Sequence, residues 1–285
     1  MGISLKEVSY SYNPKKKGTI YALKNVSLDI DSKDEFIAII GETGSGKSTL
    51  VSIFNALKIP TSGVAVVNDI RLKKTRKRKE NYNLIRKHVG LVFQLSDYQL
   101  FEETVLKDVM FAPLNFNKSV EEATEIAKKA LSLVHIDESY YEMSPFQLSG
   151  GEKKLVSIAG ILAMEPDILI FDEPTAGIDP ETKRKLIKLF KELNEVYHKT
   201  IIIIVHDMNV AYDSAKRVLV LKNSELIFDS TPYDLFVNHM DIVKDANIDV
   251  PDVLKIIDSI KIEKGIELDK HIRSLNELVE VLTNE

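Results

Sequence analysis

Apolar and polar positions alternate along the first forty residues, in short runs bounded by turn-forming residues. Such alternation predicts β-strands with one buried face. The predicted strands cover 3–10, 23–30 and 35–40. Glycines then interrupt the pattern, and residues 49–57 have helical spacing. A strand, a glycine-rich loop and a helix in this order predict the beginning of a βαβ unit. Two further strands are predicted between about 64 and 94.

The stretch from about 102 to 135 has helical periodicity. Ser119, followed three residues later by Glu122, predicts a capping box ahead of an apolar helix face. We interpret residues from about 95 to 165 as a helical subdomain inserted into an α/β core.

After Ser149 the pattern returns to alternating helices and strands. Residues 201–205 are apolar without alternation, as expected for a strand covered on both faces. The sequence therefore predicts a central parallel sheet. The other predicted elements are a helix from 149 to about 164, a buried strand over 168–171, and a helix with Asp179 as N-cap and Pro180 as first residue.

The pattern changes again after Ser230, where amphipathic helices punctuated by Pro251 continue to the end of the chain. We predict a core domain over 1–230 and a small C-terminal helical module over 231–285. The module includes an apolar set that fits either covering the edge of the sheet or pairing with another subunit. Its members are Leu275, Leu278, Val279 and Val281.

Composition restricts the possible functions. The 285 residues carry a formal net charge of −5, so charge alone gives no reason to expect non-specific binding of nucleic acid. The absence of cysteine excludes disulfides, thiolate metal sites and a cysteine nucleophile. The first residues lack the apolar core of a signal peptide, and the apolar stretch 201–205 is far shorter than the roughly 20 residues of a membrane helix. We therefore expect any membrane role to depend on a partner.

The segment GETGSGKS has the spacing of a Walker A loop. Its glycines let backbone N–H groups surround phosphate oxygens, Lys47 reaches the β- and γ-phosphates, and Ser48 offers its hydroxyl to Mg²⁺ at a helix N-terminus. The alternative is a chance glycine-rich turn, but the strand before it and the helix after it favour a nucleotide loop. The predicted ATP contacts are Gly41, Glu42, Thr43, Gly44, Ser45, Gly46, Lys47, Ser48 and Thr49.

Two adjacent carboxylates follow the predicted strand 168–171. Asp172 is predicted to hold the metal ion, and Glu173 to orient and polarise the attacking water, because phosphoryl transfer depends mainly on positioning and charge stabilisation. The alternative is that the two carboxylates only cap the next turn.

The sequence LSGGE over 148–152 places a hydroxyl and bare backbone amides at the start of a helix, which is a second potential anion site. The predicted contacts are Ser149, Gly150 and Gly151. The alternative is an ordinary helix cap. One ATP could meet both anion sites within one chain, or each site could serve a different ATP across a dimer.

Together these motifs resemble the ABC ATPase family over most of residues 1–230. The resemblance implies an α/β P-loop NTPase core, in which a RecA-like parallel sheet and an antiparallel β part carry an inserted α-helical signature subdomain. In that family the signature element faces the γ-phosphate of the opposite subunit's ATP, so two subunits close over two nucleotides. The implied roles are Gln94 as the Q-loop glutamine at the metal and catalytic site, His206 as the switch histidine, Asp179 as the D-loop aspartate, and Tyr12, or alternatively Tyr10, as the aromatic that stacks on adenine.

A narrower resemblance links residues 99–113, 157–180 and the tail around 249–260 to the A component of energy-coupling factor (ECF) transporters, most of all to the second of two paralogous A components. It implies an ATP hydrolase that powers uptake of a vitamin or transition-metal ion. The implied partners are a second, unlike ATPase subunit, a transmembrane T component and a substrate-binding S component, with no nucleic acid. The implied location is peripheral, on the cytoplasmic side of the cell membrane.

The sequence departs from the family pattern at Glu152, where glutamine is usual, at Ser96 and Asp97, where proline and glutamate are commoner, and at Ala112, which replaces a glycine. None of these removes a predicted phosphate or metal contact. The basic run 73–79 is interpreted as a solvated loop, with contact to anionic lipid headgroups as the alternative.

Other functions within the wider family remain open from sequence alone: the ATPase of a different ABC transporter, a regulatory half that binds ATP without efficient turnover, or a soluble ATPase of DNA repair or translation. DNA-repair ATPases of the family are disfavoured because only 100 positions separate Ser48 from Leu148, with no coiled coil between them. Translation ATPases of the family usually carry two such cassettes in one chain, whereas this sequence has one.

Overall fold

Two β-sheets with different strand directions form the framework of the computed structural model, which describes residues 2–14, 19–73, 82–94 and 99–283. In these ranges one sheet is antiparallel, with the order β2-β1-β4-β5, and the other has the order β10-β9-β3-β8-β7-β6. The strands are β1 (Gly2–Tyr10), β2 (Leu23–Asp31), β3 (Phe36–Ile40), β4 (Ser62–Val67), β5 (Ile70–Arg71), β6 (Val89–Val92), β7 (Ile168–Asp172), β8 (Thr200–Ile204), β9 (Arg217–Lys222) and β10 (Glu225–Ser230).

The larger sheet is parallel from β9 to β6, and β10 adds an antiparallel edge. Its inner strands are buried along their whole length, which explains their continuous apolar sequence. In β3, Ile37 and Ile39 face the core shared with the antiparallel sheet, whereas Phe36, Ala38 and Ile40 face the core shared with the helices. The predicted parallel sheet and the α/β class are confirmed.

Helices pack on both faces of this sheet, the first two beside the antiparallel sheet and the others on the opposite face. They are α1 (Lys47–Phe54), α2 (Asn83–His88), α3 (Val105–Asn115), α4 (Val120–Leu133), α5 (Gly150–Leu162), α6 (Pro180–Glu195), α7 (Met208–Ser214), α8 (Met240–Asp245), α9 (Asp252–Lys264) and α10 (Leu275–Thr283). Helices α3, α4 and α5 pack on one another. The predicted capping box of Ser119 and Glu122 is present at the start of α4, and Asp179 caps α6 with Pro180 as its first residue, as expected.

The C-terminal segment packs on α7. The Tyr212 hydroxyl donates to the Lys270 carbonyl at 2.5 Å, Arg273 Nε donates to the Tyr212 carbonyl at 2.8 Å, and Asn209 exchanges two hydrogen bonds with Asp252 at the start of α9. Val253, Leu278 and neighbouring apolar residues belong to the same core cluster as the central sheet. The division into a core domain over 1–230 and a C-terminal module over 231–285 stays a prediction.

The hairpin formed by β9 and β10 and the helix α7 are not among the elements expected from sequence. Ser96, Asp97 and most of the basic run lie outside the described residues. None of the helices within the described ranges is long and apolar enough to cross a membrane.

Candidate active site

The glycine-rich loop connects the end of β3 to the start of α1. Gly41 and Gly46 have φ angles of 139° and 110°, in the region that favours glycine. A Cβ atom at Gly41 would overlap the carbonyl oxygen of Leu221, and one at Gly46 would overlap that of Ala22. Both glycines are therefore required for the path of the loop as well as for access to its backbone N–H groups.

Lys47 lies buried at the base of this loop, where its Nζ donates to the carbonyls of Gly41 at 2.7 Å and Glu42 at 2.9 Å. Burial lowers the pKa of the Lys47 ammonium, while the charges of Glu173 and Asp172 act in the opposite direction. The hydroxyl of Ser45 is also buried and has no hydrogen-bond partner in the described residues. A cation and an unpaired hydroxyl under a ring of backbone amides form a phosphate cradle.

Asp172 is the last residue of β7 and is 7% exposed. Burial raises the pKa of its carboxyl group, and a hydrogen bond from Ser48 is the main effect opposing the rise. Its Oδ1 atom is buried without a hydrogen-bond partner in the described part of the chain. An unpaired carboxylate oxygen beside a serine hydroxyl supplies the hard oxygen ligands that Mg²⁺ prefers.

The carboxylate of Glu173 is held from two sides. Gln94 Nε2 donates to Oε2 at 2.6 Å, and His206 Nε2 lies 2.9 Å from Oε1. Glu173 itself has a left-handed backbone with φ of 51°, which costs a non-glycine residue about 1–2 kcal/mol. Its N–H donates to the Ile204 carbonyl at 3.1 Å, which fixes the turn to the end of β8. The turn brings the carboxylate to Gln94 and His206, which follow the two strands on either side of β7.

The segment after Glu173 is tied by Lys154 to α5, the signature helix, which begins in the LSGGE sequence. Lys154 is a residue that sequence reasoning missed. Lys154 in α5 is buried, and its Nζ donates to the Ala176 carbonyl at 3.0 Å. The sequence contained a signal for its burial, because Lys154 lies one helical turn before the buried Ile158 and so shares the same face of the helix. Asp179 ends the segment by accepting hydrogen bonds from the N–H groups of α6, and the bonds to Thr182 lower its pKa most.

The N-terminus of α5 carries the LSGGE sequence. Among the described residues, a Cβ at Gly150 would meet no atom within 4 Å, and one at Gly151 would approach only Thr182, at 3.8 Å. Ser149 is the N-cap and forms a capping box with Glu152. The surface of the helix at these two glycines is therefore open.

Tyr12 lies beside the first turn of α1, with its hydroxyl 3.2 Å from Thr49 Oγ1. Its side chain is 61% exposed, and Tyr10 packs against its edge with ring centroids 5.2 Å apart. Of the two predicted aromatics, Tyr12 has the more open ring. Glu42, Thr43 and Gly44 form the exposed tip of the glycine loop.

These observations define a P-loop ATPase site of the ABC type, and the chain belongs to the ABC transporter family, which matches residues 23–176. Within it, the chain is 43% identical over 286 residues to the energy-coupling factor transporter ATP-binding protein EcfA2 of Ligilactobacillus salivarius, covering 100% of this chain and 96% of that protein. It is 42% identical over 277 residues to EcfA2 of Spiroplasma kunkelii, covering 97% and 90%.

Solved structures agree with this assignment. The dimeric ATP-binding cassette MJ0796, in a post-hydrolysis state with ADP and phosphate, is 35% identical with a TM-score of 0.72, covering 81% of this chain and 98% of that one. CbiO1 of Clostridium perfringens, part of the ABC transporter complex cbiONQ, is 32% identical with a TM-score of 0.73, covering 90% and 98%. The resemblance to the second ECF A component, the ABC ATPase fold and the ATP-hydrolysing transporter function are confirmed.

Proposed function

We propose that this chain powers uptake of a vitamin or a transition-metal ion by hydrolysing ATP in an energy-coupling factor transporter. One observation carries the assignment of an active enzyme: Glu173 is held between Gln94 and His206, next to the phosphate cradle. A regulatory half without efficient turnover would not need this arrangement.

The cradle residues bind the substrate. Lys47 exchanges its two carbonyl contacts for the β- and γ-phosphate oxygens, and the loop N–H groups with Ser45 surround them. Ser48 and Asp172 would hold Mg²⁺, and Gln94 lies on the Glu173 side of the same site. A bound Mg²⁺ neutralises charge on the phosphate oxygens.

Glu173 orients the attacking water and accepts its proton as the water oxygen bonds to the γ-phosphorus and the bond from that phosphorus to ADP breaks. Gln94 and His206 act on this carboxylate by restricting its rotation, so that one oxygen lies toward the water. His206 lies at the end of β8, beside the strand β3 that leads into the cradle. From this position it can also stabilise charge on the γ-phosphate.

Closure of two subunits completes the site. The open end of α5, with Ser149, Gly150 and Gly151, is offered to the γ-phosphate of the partner's ATP. The similarity to a dimeric cassette supports this pairing. In the proposed transporter the partner is an unlike paralogue, and hydrolysis removes the shared phosphate contact so that the halves separate.

An apolar surface beside the Gln94 segment fits a membrane partner. Phe101 and Phe111 are exposed and pack edge to face with ring centroids 4.7 Å apart. Phe93 and Leu114 are also exposed. Exposed aromatic groups of this kind mark protein interaction sites. We assign this surface to the transmembrane T component. With that partner the chain would lie peripherally on the cytoplasmic side of the cell membrane. The S component would be reached through the T component.

Copurification tests this function. The tagged chain is extracted from solubilised membranes, and every bound polypeptide is identified. We expect a second ATPase, a multispanning protein and a small substrate-binding membrane protein, and the matched control is a chain with Phe101→Ser and Phe111→Ser, which should retain the second ATPase and lose the membrane proteins. Recovery of ribosomes or nucleic acid with the parent chain would contradict the proposal.

A further inference from the structure

The signature helix α5 already has an anion at its N-terminus, and that anion belongs to its own chain. Glu152 Oε2 accepts hydrogen bonds from the Ser149 N–H at 2.8 Å and from the Ser149 hydroxyl at 2.6 Å. The hydroxyl in turn accepts the Glu152 N–H at 3.3 Å. The single proton of the Ser149 hydroxyl is thus directed to Glu152 and away from the open side of the helix.

A third donor holds this carboxylate. The Tyr140 hydroxyl, from the turn ahead of α5, hydrogen-bonds to Glu152. Bonds from Ser149 and Tyr140 lower the pKa of Glu152, so the side chain is ionised at neutral pH. These are hydrogen-bond donors without charge, and they orient the negative charge of Glu152 without neutralising it.

The capping box of α4 provides an internal comparison. There Ser119 N–H donates to Glu122 Oε2 at 3.0 Å, and the Ser119 hydroxyl accepts the Glu122 N–H at 3.1 Å. Glu122 is paired with the cation of Lys118 at 3.4 Å. In both boxes the glutamate accepts the N–H of the N-cap serine. Glu152, however, lies at the helix end that the proposed function assigns to a phosphate.

We propose that Glu152 is a positioning residue that opposes ATP-driven closure by occupying the signature helix end and holding the Ser149 hydroxyl. The inference rests on the proposed function. Two anions cannot share one helix N-terminus without repulsion, so the partner's γ-phosphate binds there only after Glu152 releases Ser149. A glutamine at 152 retains the side-chain oxygen for the capping box and removes the charge. Glu152 therefore raises the ATP concentration at which the two subunits close.

The test uses the ATPase pair in its copurified complex, with MgATP as the probe. Glu152→Gln should lower the ATP concentration for half-maximal hydrolysis by about two- to fivefold, the effect of removing one exposed like-charge contact, with little change in kcat. The matched control is Glu122→Gln, which should leave that concentration unchanged. Tyr140→Phe, which keeps the carboxylate but removes one of its donors, should shift it in the same direction by less.

An unchanged or raised half-maximal concentration in Glu152→Gln would overturn the inference while leaving the proposed function intact, provided that the parent complex hydrolyses ATP. A loss of thermal stability equal to that of Glu122→Gln, together with a fall in kcat alone, would show a purely structural cap and would also overturn it. Failure of the parent complex to bind or hydrolyse ATP would instead overturn the proposed function.

Discussion

His206 Nε2 lies 2.9 Å from Oε1 of Glu173, so the segment after one central strand is joined to the segment after its neighbour. Because an ionised carboxylate only accepts hydrogen bonds, this contact requires the proton of a neutral imidazole to be on Nε2. The position of the carboxylate that we propose as catalytic thus depends on the tautomer of the histidine as well as on the backbone turn.

Replacing the carboxylate with an amide tests its role directly. We expect Glu173→Gln to lower kcat by about 10²–10⁴-fold, because the amide cannot accept the proton of water, and to leave ATP binding intact. Single-turnover hydrolysis and equilibrium ATP binding measure the two effects. The control is Glu165→Gln, since Glu165 is exposed and also has a left-handed backbone, with φ of 52°. Parent-like hydrolysis by Glu173→Gln would show that another group activates the water.

Removing the histidine should separate positioning from binding. In His206→Ala, Glu173 keeps its contact with Gln94 but loses the one at Oε1. We expect kcat to fall by about 10²-fold, the effect of a small misplacement of a reacting group, with the dissociation constant of ATP nearly unchanged. The control is His198→Ala, which removes an exposed histidine paired with Asp34 at 2.6 Å. Weaker ATP binding with an unaltered kcat would contradict this role.

The glycine loop and the buried strands could be predicted because their signals are local. The spacing of Gly41, Gly44 and Gly46 is contained in six residues, and the continuous apolar residues of the run 201–205 indicate burial on both faces. The hairpin β9–β10 was missed because its support is distant: Arg217 forms ion pairs with Asp229 and with Glu35, 182 positions away. Tertiary contacts of this kind leave no periodic pattern in the sequence.

The interactions within the site were beyond the sequence for the same reason. Glu173 could be assigned a role from its place after a buried strand, and Gln94 and His206 by resemblance. The two hydrogen bonds that hold the glutamate depend on the order of strands in the sheet. The hydroxyl bond from Ser149 to Glu152 is local, yet only the side-chain geometry distinguishes it from the ordinary capping box of Ser119 and Glu122.

Lys47 should be essential for tight nucleotide binding. Lys47→Ala removes charge-assisted hydrogen bonds worth about 1.5–3 kcal/mol each, so ATP affinity should fall at least about tenfold. Fluorescent nucleotide titration measures the affinity. Lys33→Ala, at an exposed position, is the control for loss of one positive charge. Undiminished affinity in Lys47→Ala would overturn the phosphate cradle.

The buried carboxylate of Asp172 imposes a cost on the fold. Its pKa is raised above the ordinary value of 3.8, mainly by burial. A carboxyl group with a raised pKa binds its proton more tightly in the folded state than in the unfolded state, so stability falls as the pH rises through the folded pKa. At neutral pH the ionised Asp172 therefore destabilises the nucleotide-free protein, and the Mg²⁺ ion that we propose it holds would relieve this cost.

Asp172→Asn should stabilise the nucleotide-free protein and weaken its use of Mg²⁺ in hydrolysis. Without nucleotide or Mg²⁺ at pH 7, we expect its melting temperature to exceed that of the parent, and the difference to narrow as the pH falls through the raised pKa of Asp172 toward 3.8. Steady-state hydrolysis should require a higher Mg²⁺ concentration, because an amide oxygen is a weaker ligand than a carboxylate. Asp249→Asn is the control at an exposed position. A melting temperature below that of the parent at pH 7 would mean that the charge of Asp172 stabilises the fold through partners other than the metal.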